Sequence, residues 1–136
     1  MSKVRPPGYG VVMADSDHHF LALVGAPVPE PGEGSARLVV EVDERHFNAA
    51  GAVHGGMLAT LVDATMGATV RSTTDGESPA TSQLTITYLR PGKAGDLVVT
   101  AAVTKSGDSL TMCEAEVEQD GKTLVHALAT FALVGS

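Results

Sequence analysis

The rhythm of apolar and polar positions changes twice along this chain. Ala36, Leu38, Val40 and Val42 alternate with Arg37, Glu41 and Asp43, the period-two pattern of a half-buried strand. From Gly56 to Val70 the alternation stops. Asp63 is the one charged side chain there, and the rest are apolar, small or threonine. A stretch apolar nearly all round offers no wet face, which predicts a helix inside the protein, ending near Ser72. Residues 73–79 read as a loop, and then the period returns to two: Leu84, Ile86 and Tyr88 alternate with Gln83, Thr85 and Thr87. Three more apolar, β-branched runs follow, Leu97–Lys105, Leu110–Glu118 and Thr123–Val134. Between them lie the Arg90–Asp96 connection, the turn Ser106–Ser109, and Asp120-Gly121, a strong hairpin signal. Four strands after one buried helix predict an α+β fold with a meandering antiparallel sheet wrapped over that helix.

The N-terminal part is less regular. Pro6, Pro7 and Gly8 discourage structure, so residues 1–15 read as a flexible arm and 16–136 as a single domain. Ser16 to Val24 reads as a short helix capped near Ser16. Pro27 to Gly34 is turn-rich, and any strand there must lie at an edge.

Asp63 admits two readings. It is either a core carboxylate held by a structural hydrogen bond or a functional group placed two turns into a buried helix. At ~100° per residue, Gly56, Thr60, Asp63 and Gly67 share one narrow stripe of small and polar residues. Leu58, Leu61, Val62, Thr65 and Thr69 form a second stripe suited to a sheet. The double glycine at 55 and 56 leaves the first helical turn bare, so its N–H groups can be approached closely. Gly55 and Asp63 are separated by roughly 12 Å at ~1.5 Å per residue, too far for both to serve one reacting carbonyl. If both act, they come from different chains, as in an antiparallel pair of such helices.

Composition narrows the classes. A net charge of −7 over 136 residues argues against nucleic acid, and 43% hydrophobic residues describe a folded globule. Asp63, His54 and the glycines argue against a membrane span. Met1 to Pro7 lacks an apolar signal region, so cytoplasm is the expected location. Cys113 is the single cysteine, and the five histidines lack metal-ligand spacing, so neither a disulfide framework nor a metal is expected.

The segment Asn48…Gly51…His54-Gly55-Gly56…Leu61-Val62-Asp63, with Ile86-Thr-Tyr-Leu-Arg-Pro-Gly-Lys-Ala-Gly-Asp96, resembles the hotdog-fold acyl-CoA thioesterases of the phenylacetyl-CoA thioesterase (PaaI-like) type. The likeness runs from about Phe20 to Val134. It implies a long central helix wrapped by a curved antiparallel sheet of five to six strands. It also implies a homo-oligomer, a dimer of dimers, with active sites shared between subunits. By the same resemblance, Asp63 is the general base or nucleophile at the thioester. Gly55 supplies the backbone N–H that polarises the carbonyl, and Asn48 orients water or holds that carbonyl. His54 fixes the loop or assists the thiolate, and Thr81 positions water beside the carboxylate. Gly56, Gln83, Arg90 and Lys93 are the substrate-binding candidates, the cations meeting coenzyme A phosphates. No cofactor is expected beyond the coenzyme A of the substrate.

Two other classes remain: an acyl-CoA-binding module without turnover, and a hotdog hydratase, whose Asp/His pair before the helix is not evident here. Gly107-Asp108-Ser109-Leu110 spells a lipase signature but sits between strands, and Gly121-Lys122-Thr123 lacks the earlier glycine of a phosphate loop.

Overall fold

The computed structural model describes residues 19–75 and 77–134. The proposed N-terminal arm and the Ser16 cap lie outside them. The first helix, α1, spans His19–Leu23, and two strands follow, β1 (Glu30–Gly32) and β2 (Ser35–Val42). The long helix α2 runs Gly55–Arg71. The remaining strands are β3 (Ser78–Tyr88), β4 (Gly95–Ser106), β5 (Leu110–Gln119) and β6 (Lys122–Val134). The turn-rich Pro27–Gly34 segment does form a strand, the short edge strand β1.

All strand pairs are antiparallel, in the order β1-β2-β4-β5-β6-β3. The β4-β5-β6 meander follows the sequence reading, and Asp120 (φ 51°) and Gly121 (φ 76°) turn the last hairpin with the positive φ angles it requires. The position of β3 corrects that reading. β3 pairs with β6 rather than β4, because β4 already has β2 on its other side. From β3 to β4 the chain must cross three strand spacings, roughly 14 Å, and the six residues 89–94 can reach ~20 Å. This crossing is pinned throughout. Leu89 and Arg90 N–H donate to Leu124 O (2.7 and 3.3 Å), and Gly92 O accepts from Val53 N–H (2.9 Å). Gln119, 6% exposed, donates to Lys93 O and accepts from Lys93 N–H. A side chain at Gly92 would press on its neighbours, since a Cβ would stand 3.0 Å from Val53 and 3.2 Å from Leu124.

The sheet curves around one side of α2. Leu58, Leu61, Val62, Thr65 and Thr69 are buried against it, as their spacing predicts. The Thr65 and Thr69 hydroxyls donate to the carbonyls of Leu61 and Thr65 (2.7 and 2.8 Å), so neither is left unsatisfied. The small-residue stripe is less covered. Thr60, Asp63 and Gly67 are half-buried and Gly56 is exposed, so the described residues leave that face of the helix open. Among the described residues no helix is long and apolar enough to cross a membrane.

Cys113 lies on the inner face of β5 at 1% exposure, and burial raises its thiol pKa to about 11. The neutral thiol therefore persists at pH 8, and the thiolate is the reactive form. Native protein should leave Ellman's reagent unreacted at pH 8 and titrate one thiol after unfolding. Rapid labelling of the native state would contradict this placement.

Candidate active site

Asp63 and Thr81 meet directly: the Thr81 hydroxyl donates to Asp63 Oδ1 at 2.7 Å. That contact depends on a β-bulge. On β3, Leu84 and Ile86 oppose Ala129 and Ala127 on the inner face, and strict alternation would turn Thr81 outward. The register shifts between Thr81 and Gln83, which places Thr81 opposite the buried Phe131 instead. The extra residue, Ser82, donates its hydroxyl to Thr130 O (3.1 Å). Asp63 and Thr81 line a cleft of ≈ 500 Å³ with Gly67 and Ala68 of α2; Phe20, Val28, Pro29 and Phe131 supply apolar walls. Arg71 stands two turns further along the helix in the same cleft.

Asn48 and Gly55 line a different cleft, of ≈ 320 Å³, together with Tyr88, Leu89 and Arg90. The loop that carries Asn48 hangs from the buried His46. That ring contacts Val24 O through Nε2 (2.7 Å) and accepts from Asp43 N–H through Nδ1 (3.1 Å), while His46 O accepts from His54 N–H (2.8 Å). The guanidinium and N–H of Arg45 hold the Asp43 carboxyl down at about 2, keeping it an acceptor at the start of this turn. Asn48 Oδ1 accepts from Ala50 and Ala52 N–H (2.9 and 3.1 Å). The carboxamide oxygen thus builds the loop, and its NH₂ meets no acceptor among the described residues.

His54 caps α2. Its Nδ1 accepts from Gly56 N–H at 2.8 Å, so in the neutral ring the proton sits on Nε2. Gly55 N–H, by contrast, meets no acceptor among the described residues. It is an open donor at the positive end of a 17-residue helix.

The other sequence candidates divide. Arg90 lines the Asn48 cleft and donates through Nη1 to Thr123 O (2.8 Å). Gly56 faces a neighbouring groove with His54 and Thr60. Lys93 lines neither cleft; its ammonium pairs with Asp120 at 3.2 Å in solvent. Gln83 lies on the outer face of β3, where it donates to Thr85 Oγ1, away from both clefts. One residue escaped sequence reasoning. Tyr88 donates its hydroxyl to Gly55 O at 2.8 Å, a contact between residues that strand alternation alone cannot bring together.

Residues 50–126 match the profile of the thioesterase superfamily. The chain belongs to that superfamily. The thioesterase is 38% identical over 79 residues to human acyl-coenzyme A thioesterase 13, a match spanning 57% of this chain and 56% of the human protein. Among solved structures, it is similar to the E. coli PaaI protein from the phenylacetic acid degradation operon (TM-score 0.72, 30% identity, 76% of this chain and 75% of that one). It is also similar to a Streptococcus mutans protein solved with acetyl-CoA bound (TM-score 0.72, 28% identity, 76% and 84%). The six-stranded hotdog sheet around one long helix accords with the two solved structures.

Proposed function

We propose that this thioesterase hydrolyses acyl-CoA to a carboxylic acid and coenzyme A, in a site completed by a second copy of the chain. One observation carries the reading: a single helix presents an open N–H donor at its start and a hydroxyl-bound carboxylate eight residues later, in separate clefts. Each cleft holds half of what thioester hydrolysis requires. The open stripe of α2 and the edge of β3, unpaired among the described residues, are the surfaces on which a second copy would close the two halves together.

In that site the thioester oxygen accepts from the partner chain's Gly55 N–H, with the Asn48 NH₂ beside it. Negative charge grows on that oxygen as water attacks, and fixed donors in a sheltered site stabilise it. Asp63 takes the proton from water. Thr81 occupies one carboxylate oxygen, which leaves the other for the water. The tetrahedral intermediate then collapses: the carbonyl re-forms, the C–S bond breaks, and coenzyme A leaves as thiolate, taking up a proton. Support for coenzyme A as the carrier comes from the acetyl-CoA-bound neighbour and the human relative.

The test is thiol release from a panel of aliphatic and aromatic acyl-CoAs at pH 8. Release above the spontaneous rate with at least one member is expected. If none is cleaved, the reading is wrong.

A further inference from the structure

The Gly55 carbonyl and the Gly56 N–H are the two ends of one peptide group. Tyr88 binds the first and His54 the second, each at 2.8 Å. The preceding peptide is held at its carbonyl, since His54 O accepts from Met57 and Leu58 N–H (2.9 and 3.2 Å). Every polar group around Gly55 is therefore tied except its own N–H. Two successive glycines lose more freedom on folding than any other pair, so the direction of these peptides depends on bonds from outside. The Tyr88 ring also bears on residue choice: a Cβ on Gly55 would lie 3.3 Å from both its Cζ and its hydroxyl oxygen.

We infer that Tyr88, the last residue of β3, is a positioning residue for thioester hydrolysis. Its hydroxyl holds the Gly55–Gly56 peptide, which is joined through the Gly55 Cα to the His54–Gly55 peptide that bears the Gly55 N–H. With His54 O already tied, this fixes the Gly55 backbone and so restrains that N–H towards the thioester oxygen. The inference rests on the proposed role of that N–H. The hydroxyl proton is spent on Gly55 O, so Tyr88 acts through the helix start and not on the substrate itself. An aimed donor matters most where charge has developed, so its loss falls on kcat rather than on KM.

Tyr88→Phe removes the hydroxyl and keeps the ring. It should lower kcat roughly three- to tenfold, the worth of one hydrogen bond, with KM changed by less than about twofold. In ¹⁵N-glycine-labelled protein the Gly56 amide resonance should shift and its exchange protection fall, while glycines remote from the helix start stay fixed. Gly55→Ala crowds the ring, so Tyr88→Phe added to it should cost less than it does alone. An unmoved Gly56 amide, an unchanged kcat, or a loss confined to KM would overturn the inference. If the wild-type protein released no thiol, the acyl-CoA reading would fall, and the Gly56 amide would still decide whether the hydroxyl locks the peptide.

Discussion

Asp63→Asn should lower turnover roughly 10²- to 10⁴-fold, the usual contribution of a general base. The substitution isolates proton acceptance from shape. Asparagine has the volume of aspartate, and its Oδ1 can still accept the Thr81 hydroxyl that now lies 2.7 Å from the carboxylate. What it loses is the basic lone pair facing the water. Melting temperature and KM should therefore stay close to wild type while kcat falls. A folded Asp63→Asn protein with near-normal turnover would exclude Asp63 as the base. Isotope labelling tests for a nucleophile: in one turnover in H₂¹⁸O, a base places solvent oxygen in the acid, whereas a mixed anhydride opened at the Asp63 carbonyl delivers aspartate ¹⁶O to the acid and leaves ¹⁸O in Asp63. We expect ¹⁸O in the acid.

What the sequence disclosed follows from what periodicity can encode. The limits of α2, its sheet-facing stripe of side chains and the run of four strands all appear as local spacing, and the structure has them where the spacing puts them. Sheet order is different, because no period records which strand lies beside which. β3 reads as a neighbour of β4 and instead pairs with β6 across the pinned 89–94 connection. Side-chain direction fails at a bulge for the same reason. One extra residue at Ser82 turns Thr81 inward, where resemblance put it and alternation did not. Gln83, just past the shift, is left on the outer face. Lys93 was a charge near the right loop, but Asp120, brought close by the 121 turn, holds it in solvent. The Tyr88–Gly55 bond spans 33 residues, beyond any local pattern. An apolar helix also cannot declare whose atoms cover it, and the described residues of the single chain leave its small-residue stripe open.

Mixing two inactive proteins should restore about a quarter of wild-type activity. One carries Asp63→Asn and the other Asn48→Asp. The second substitution suits the loop: the aspartate keeps an oxygen for the Ala50 and Ala52 N–H groups, while the NH₂ donor is lost and a charge is added that repels the oxyanion. If each site joins Asp63 of one subunit to Gly55 and Asn48 of the other, a heterodimer holds one site with both lesions and one with neither. Equal amounts, dissociated and reassociated at random, give about half heterodimers, each with one working site of two. The same fraction holds in a dimer of dimers whose sites lie within each dimer. Light scattering should report at least two chains per particle for each protein and for the mixture. Complementation cannot arise if Asp63 and Gly55 serve a site within one chain, because every chain then carries a lesion in its own site. The separation of these two residues along α2, roughly 12 Å at ~1.5 Å per residue, is what makes recovery the expected result. A well-mixed population of heterodimers without activity would refute the shared site.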